Sequence, residues 1–295
     1  MAVLETILRP APPYSLAVCA RMAGDATRVF SQGVLHMALW AGGRPASAKV
    51  WQTADGRLQV RLTADEPEQA LDELRFTLAS DVDLQPFLRL VRKDSLLRDV
   101  VQRNNGYRPL RVSTVSHSLL RAVAGQLIQW RAARLIEDRV IRLVSPRHGE
   151  RWLPPTASAL RTLPPARLTS VGLAPRRSVA LTTVLTDLDP ERLRGESTRD
   201  VAVRLERIRN LGPWSTGVVA LYGLGRYDHG LVGDLGLLRL CSVVLGRPAE
   251  VEDTRELLER YGQWAGLASL HLVGHPYANR RGQLPQAAGA AVRTA

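Results

Sequence analysis

Residues 205–239 combine a tight turn with a single acid in apolar surroundings. Asn210 and Gly212 tolerate φ > 0 and suit a sharp reversal between two helices, and Pro213 is favoured at the first position of the second helix. The first N–H groups of that second helix then point outward at its positive end, where a phosphate binds readily. Asp234 follows among leucines and valines, where a carboxylate costs free energy unless it is paired or used. The stretch therefore predicts a phosphate site beside a functional carboxylate.

Composition restricts the class of protein that can carry such a site. A chain of 295 residues with 45% hydrophobic residues can bury a large core and is expected to form two domains. We find no apolar run of the eighteen or so residues that a membrane helix needs, and no basic region followed by an apolar one at the N-terminus. We therefore expect a cytoplasmic protein with no membrane partner. Cys19 and Cys241 are the only cysteines, which excludes a four-cysteine zinc site or iron–sulfur cluster and favours buried, reduced thiols.

The formal net charge is +12, and it is unevenly distributed. Residues 1–110 hold 14 basic and 12 acidic residues, whereas residues 111–295 hold 26 basic and 16 acidic ones. The excess lies with the tight turn, as a polyanion-binding surface requires, although solubility alone could also produce it. Lys49 and Lys93 are the only lysines among the basic residues; a GC-rich genome accounts for most of the arginine bias.

The elements that must position this site fall into two regions. Up to residue 80, short apolar runs separated by Pro, Gly and Asp predict strands, and 67–79 has helical spacing, so we expect a small antiparallel sheet with a covering helix. The predicted strands are Leu4–Leu8, Leu16–Arg21, Val29–Phe30, Val34–Trp40, Ala48–Gln52 and Leu58–Leu62. From 81 onwards the pattern is helical, notably over 81–108, 113–144, 198–209 and 250–273.

The turn resembles the hairpin of the helix-hairpin-helix (HhH-GPD) DNA glycosylases, closest to their DNA-3-methyladenine glycosylase II branch. In that branch the hairpin commonly reads L-x-G-[IV]-G-x-W-[ST]-A, and here Arg209–Thr216 reads RNLGPWST. The second glycine, the tryptophan and the hydroxyl residue match, and Asn210 stands in place of the first glycine. The resemblance implies a mainly α fold with an N-terminal α+β domain: a small antiparallel sheet domain and linker helix over 1–108, a two-lobed helical glycosylase domain over 109–275, and a flexible tail over 276–295.

A second motif supports the same family. Ala122–Gln129 matches the pattern A-[IV]-[LV]-x-Q-[QL]-[IV]-[ST], which lies on a helix start in these glycosylases. In the family the residue matched by Leu127 is an apolar wedge that enters the duplex where the target base has left, and Gln126 precedes it. Base flipping costs a few kcal/mol of stacking, which an inserted side chain partly replaces. Read alone, Gln126 and Leu127 would be ordinary helix residues.

The resemblance implies the chemistry of a monofunctional DNA glycosylase in base excision repair. Its partner is double-stranded DNA that contains damaged bases, and a monomer is expected. An alkylated purine is already cationic, so one carboxylate against C1′ suffices to stabilise the oxocarbenium-like sugar, and Asp234 is the catalytic candidate. Its place before Leu235 is equally that of a helix N-cap, and the two roles are compatible. Relatives that also cut the DNA strand carry a lysine where Trp214 stands, and no lysine follows Lys93, so we expect no lyase activity.

Aromatic residues are expected to form the base pocket. The branch places a tryptophan at Trp214, and an electron-rich ring stacks well on a cationic base. Tyr222, eight residues on and on the same helix face, and Trp264 are the further pocket candidates, with core packing as the alternative. Val218 and Val273 stand where the branch often has aromatics, which puts the substrate range in question.

The hairpin is expected to bind DNA phosphate. No cofactor is required, but the family hairpin binds a monovalent cation, Na⁺ or K⁺, through main-chain carbonyls that match Glu206, Ile208 and Leu211. The expected phosphate-binding residues are Asn210, Leu211, Gly212, Trp214, Ser215 and Thr216. Two other functions stay open: the same fold with altered lesion specificity, and a non-catalytic DNA-binding protein.

Overall fold

The structure is a computed structural model that describes residues 1–279. Within these residues the N-terminal region contains one five-stranded antiparallel sheet in the order β1-β5-β4-β3-β2. Its strands are β1 (Ala2–Leu8), β2 (Arg28–Ser31), β3 (Val34–Ala41), β4 (Arg44–Gln52) and β5 (Leu58–Ala64). The predicted sheet is confirmed, and the β4–β5 turn uses Gly56 at φ +84, a conformation that glycine adopts without strain.

One predicted strand is wrong. Leu16–Ala20 forms a short helix, α1, instead of a strand. Ser15 caps this helix by accepting a hydrogen bond from the Val18 N–H, and the helix buries its own Leu16 and Cys19. A run of apolar residues this short fits a buried helix turn as well as a strand, so its periodicity could not distinguish them.

The covering helix is α2 (Pro67–Thr77), followed by α3 (Gln85–Val91) and α4 (Arg98–Arg103). The predicted helical segment 81–108 is thus two short helices. Leu78 belongs to the core beneath the sheet, whereas Leu84 and Phe87 belong to the core of the helical region. By core membership the helical region therefore begins before residue 108, although the domain limits themselves stay a prediction.

The helical region encloses one large core. Its helices are α5 (Val115–Gly125), α6 (Trp130–Val144), α7 (Ala157–Arg161), α8 (Pro165–Ser170), α9 (Pro175–Asp187), α10 (Thr198–Glu206), α11 (Pro213–Val219), α12 (Leu235–Leu245), α13 (Val251–Glu259), α14 (Ala265–Val273) and α15 (Pro276–Asn279). A two-stranded ribbon of β6 (Arg147–His148) and β7 (Arg151–Trp152) follows α6. None of the described helices is long and apolar enough to cross a lipid bilayer.

Three segments differ from the sequence prediction. The segment 250–273 is divided at 260–264, so α13 and α14 are separate helices. The segment 113–144 is interrupted at 126–129, so α5, which Thr114 caps, and α6 are separate helices. At the other end, Pro276–Asn279 is α15, which packs against α12 with Ala278 buried. Residues 280–295 of the predicted tail lie outside the described residues, so the limits of the tail stay a prediction.

Candidate functional site

The turn between α10 and α11 has the geometry that its sequence predicts, with one difference. Asn210 takes φ +70, and the Leu211 N–H donates to the Ile208 carbonyl at 3.0 Å, which closes the reversal. Pro213 starts α11 as expected. Gly212, however, is extended at φ −138, and a Cβ added to it would meet no protein atom within 4 Å. The fold itself does not require glycine at 212, so the space in front of this residue is open to a ligand.

Gln126 joins the turn between α5 and α6 to this hairpin. Its side-chain amide donates from Nε2 to the Asn210 carbonyl at 2.7 Å and to Ser215 Oγ at 3.1 Å. The two motifs lie more than eighty residues apart in sequence, and their spacing gave no signal of this contact. The Gln126 side chain therefore holds the turn between α5 and α6 against the hairpin.

Leu127 follows in a conformation suited to a protruding side chain. Its φ is +53, a left-handed conformation that costs a branched residue free energy, and its side chain is 77% exposed. The sequence placed Leu127 on a helix start, but it lies in the gap between α5 and α6. Leu127 is thus not an ordinary helix residue. Its exposure and left-handed backbone next to the hairpin favour the predicted wedge role, which stays a prediction.

Asp234 is oriented by two separate elements. Its Oδ1 accepts the N–H of Gly236 at 2.7 Å and so caps α12, and its Oδ2 accepts Trp214 Nε1–H at 3.0 Å. The first N–H groups of α12 hold Oδ1, and the indole N–H fixes the direction of the carboxylate. Oδ1 also accepts the Leu237 N–H at 3.4 Å, whereas Oδ2 accepts the indole N–H and has a second lone pair available for a substrate. Gly233 before it takes φ +80, which turns the chain into the helix.

Trp214 is itself held in place by a close contact. A Cβ built on Gly125, the last residue of α5, would lie 2.8 Å from Trp214 Cη2, so only glycine allows the indole to approach this far. Val273, at the end of α14, also reaches this region: its Cγ1 lies 3.5 Å from the point where a Cβ of Gly236 would be, and Asp234 Oδ1 lies 3.0 Å from that point. An aliphatic side chain thus borders the carboxylate where an aromatic one is common in the resembled branch.

The other predicted pocket residues have different partners. Tyr222 lies in a π-helical turn after α11, with the Arg121 guanidinium carbon 5.0 Å from its ring centroid. Trp264 packs against Tyr227 and Phe87, with 5.8 Å between ring centroids in each case. Trp214 therefore meets Asp234 directly, whereas the pocket roles of Tyr222 and Trp264 stay predictions.

Thr216 does not fit its predicted role as a phosphate ligand. Its side chain is fully buried and donates to Glu206 Oε1 at 3.1 Å, and its N–H donates to the Gly212 carbonyl. Both donors are thus used inside the protein, and Thr216 ties α10 to α11. The N–H groups of Trp214 and Ser215, in the first turn of α11, have no intrahelical acceptor, and their role as phosphate donors stays a prediction.

Two basic residues that the sequence analysis did not select flank the turn. Arg207 and Arg209 are exposed, and within residues 1–279 neither forms an ion pair. Many arginines of the sheet region are paired, as Arg44 is with Glu66. Unpaired arginines at the hairpin place part of the basic excess where a phosphate backbone would lie. The predicted cation carbonyls of Glu206, Ile208 and Leu211 stay a prediction, and the carbonyl of Ile208 already accepts the bond that closes the turn.

Asp25, His117 and Glu137 bring three potential metal ligands within 4.8 Å of one another. Their oxygens are already bonded to cations: Arg121 donates to Asp25 at 2.8 Å and to Glu137 at 2.9 Å. Arg134 donates to Glu137 at 2.8 Å. Burial alone would raise the pKa of the Glu137 carboxyl, but these guanidinium groups and His117 hold that pKa well below its usual range. The cluster is therefore an ion network that joins the sheet region to α5 and α6.

Comparisons with known proteins agree with this geometry. The chain matches no protein-family model. It is 30% identical over 219 residues to a probable bifunctional transcriptional activator/DNA repair enzyme AlkA of Mycobacterium tuberculosis, which covers 68% of this chain but 42% of that relative. The chain thus spans less than half the length of this relative. It is 22% identical over 203 residues to a DNA-3-methyladenine glycosylase of Bacillus subtilis, covering 65% of this chain and 67% of the relative. Its fold matches that of a 3-methyladenine DNA-glycosylase from Archaeoglobus fulgidus with a TM-score of 0.79, at 19% identity over 91% of this chain and 96% of the other.

Proposed function

We propose that this chain, which is AlkA-like and has the fold of the helix-hairpin-helix DNA glycosylases, is a DNA glycosylase that removes alkylated purines in base excision repair. The observation that carries the proposal is the placement of Asp234. Its carboxylate lies at the positive end of α12 and accepts a hydrogen bond from Trp214 Nε1. Trp214 lies in the first turn of α11, whose N–H groups are the proposed phosphate donors. A carboxylate, an aromatic ring and an anion-binding helix start are thus held as one unit.

The proposed reaction is hydrolysis of the N-glycosidic bond. The bond between C1′ and the purine nitrogen breaks, and its electron pair leaves with the base, whose positive charge is thereby neutralised. The Asp234 carboxylate stabilises the oxocarbenium-like sugar, and water adds its oxygen to C1′ while its proton passes to the carboxylate or to solvent. Because Trp214 occupies the lysine position of strand-cleaving relatives, the chain would release the base without Schiff-base chemistry. Trapping of a covalent DNA adduct by borohydride would contradict this point.

The hairpin and wedge are proposed to hold the DNA in the distorted form that the reaction needs. The N–H groups of Trp214 and Ser215 would bind a phosphate in the open space before Gly212, and Leu127 would occupy the gap that the flipped base leaves. The Gln126 amide, bonded to Asn210 and Ser215, fixes the distance between these two contacts. The partner would therefore be double-stranded DNA.

The deciding experiment compares Asp234→Asn with Asp189→Asn in single-turnover release of bases from methylated DNA. Asp189 also caps a helical turn, by accepting the Glu191 N–H, but lies outside the site, so it is a matched control for the loss of one N-cap charge. Asparagine caps helices as well as aspartate does, so both variants should fold. We expect Asp234→Asn to lose activity and keep DNA binding. A rate within about tenfold of wild type, roughly 1.4 kcal/mol in the barrier, would refute the mechanism.

A second candidate function is the same reaction on a different lesion. Val218 and Val273 are aliphatic, and Val273 borders the carboxylate, so the wall beside Asp234 offers less π surface to a cationic base. A panel of duplexes with cationic and neutral damaged bases distinguishes the two. If wild type bound DNA tightly but released no base from any of them, the chain would be a non-catalytic DNA-binding protein.

A further inference from the structure

Trp130 is a large aromatic side chain that the fold leaves in water. It is the first residue of α6, and its side chain is 50% exposed. Trp40 and Trp214 are engaged through their indole N–H and Trp264 through stacking on Tyr227, whereas Trp152 and Trp130 each have an arginine over the ring. Within the described residues, Trp130 Nε1 has no acceptor. Exposed aromatics of this kind are typical of binding surfaces.

The position of Trp130 indicates what it binds. Trp130 follows Leu127 by three positions, so their Cα atoms lie at most about 11 Å apart, the span of three Cα–Cα steps. If Leu127 occupies the gap left by a flipped base, Trp130 lies within about three base-pair rises of that gap. A wedge that enters the duplex would therefore bring the exposed ring close to the bases around the gap.

The surroundings of Trp130 are also suited to a polyanion. The Arg131 guanidinium carbon lies 5.6 Å from the centroid of the Trp130 ring, and in the described part of the chain Arg131 forms no ion pair. The first turn of α6 contains no acidic residue, and no side chain caps it. A phosphate beside the ring would meet a free guanidinium and the positive end of a fifteen-residue helix.

We propose that Trp130 stacks on the base that loses its partner when the damaged base is flipped out. The proposal rests on the proposed function, because it needs an unpaired base opposite the lesion. Flipping leaves that base unpaired and one of its faces unstacked, and an aromatic ring replaces the lost stacking whatever the base is. Trp130 would then be a positioning residue that keeps the duplex open while Leu127 fills the gap.

The test uses full-length protein and a duplex with a tetrahydrofuran abasic site opposite 2-aminopurine, whose fluorescence falls when it stacks. Trp130→Ala should weaken binding by about fivefold to a hundredfold, the range for loss of one base–aromatic stack. It should also leave 2-aminopurine brighter than wild type does, and Trp130→Phe should restore both. Trp51→Ala is the matched control, since Trp51 is 38% exposed on β4 in the sheet region, and it should bind like wild type.

Two outcomes would overturn the proposal. One is Trp130→Ala binding within about twofold of wild type with the same 2-aminopurine signal. The other is a loss that Trp51→Ala shares or that Trp130→Phe does not restore, which would mean a general effect on folding. Because the abasic duplex needs no base release, a wild-type enzyme that binds and quenches but releases no base would refute the proposed function and leave Trp130 in its role.

Discussion

The hydrogen bond from Trp214 to Asp234 predicts how strongly the reaction depends on the orientation of the carboxylate. Trp214→Phe keeps an aromatic ring and removes the N–H that lies 3.0 Å from Asp234 Oδ2. The bond from Gly236 to Oδ1 remains, so α12 stays capped and the carboxylate stays in place but is free to rotate. A hydrogen bond to a charged acceptor contributes about 1.5–3 kcal/mol, so we expect the single-turnover rate to fall about tenfold to a hundredfold.

A second substitution separates orientation from simple loss of the indole. Gly125→Ala adds a Cβ 2.8 Å from Trp214 Cη2, and ordinary carbon contacts need about 3.5–4.0 Å, so the ring must move by about 1 Å. That shift breaks the 3.0 Å bond to Asp234 while leaving every donor present, and a misplacement of about 1 Å costs up to about a hundredfold in rate. In Trp214→Phe the atom that clashes is gone, so Gly125→Ala should have little further effect.

The assay is a double-mutant cycle of base-release rates with enzyme in excess, together with the thermal midpoint of each variant. We expect strong coupling: each single variant is slow, and the double variant is about as slow as Trp214→Phe alone. Additive losses would mean that Gly125 acts through the neighbouring wedge turn instead of through Trp214. A Trp214→Phe rate within about threefold of wild type would refute an orienting role for the indole N–H.

Three further predictions test the phosphate site before Gly212, the contact of Arg209 with DNA, and the buried side chain of His271. The Cβ added by Gly212→Ala would meet no protein atom, so this variant should keep Tm within about 2 °C of wild type but bind DNA about tenfold more weakly, because the methyl group blocks a phosphate. The matched control is Gly217→Ala, whose Cβ would lie 2.4 Å from the Gly230 carbonyl oxygen, and it should lower Tm by about 5 °C. Equal losses of Tm in the two variants would contradict this prediction. Arg209→Ala should reduce the slope of log K against log [salt] by about 1, as measured by titration at several salt concentrations, and an unchanged slope would mean that Arg209 contacts no phosphate. Burial lowers the pKa of His271 to about 4, so the ring stays neutral in the folded protein, whereas in the unfolded chain it is protonated below about pH 6.5. The free energy of unfolding is therefore fully present above that pH and falls as the pH drops towards 4. His271→Phe should remove about 3 kcal/mol of this fall, as measured by denaturant titrations at several pH values.

Local features of the site could be predicted because short stretches of sequence determine them. Asn210 takes the left-handed conformation, Pro213 begins α11, and Asp234 caps α12, and each follows from the backbone preference of that residue. The antiparallel sheet and the helical region likewise follow from the periodicity of apolar residues. Thr216 shows the limit of this reasoning, since the motif pattern does not distinguish a hydroxyl that meets a phosphate from one that is buried against Glu206.

The contacts between distant segments could not be predicted, because sequence spacing carries no information about them. Gln126 bonding Asn210, Gly125 admitting Trp214, and the indole of Trp214 reaching Asp234 each depend on how α5, α11 and α12 pack. The break between α5 and α6 is a similar case. Its residues are compatible with a continuous helix, and the tertiary contact of Gln126 with the hairpin accompanies the end of α5.

These contacts have a mechanical consequence for base flipping. The amide of Gln126 fixes the wedge turn to the hairpin, and the indole of Trp214 fixes the start of α11 to the carboxylate of Asp234. These two bonds therefore link Leu127, the proposed phosphate donors and the carboxylate. Under the proposed function, binding energy from the phosphate contact would then be used to insert Leu127 and to hold the sugar against Asp234. Severing either bond should therefore lower the rate of base release more than the affinity for DNA.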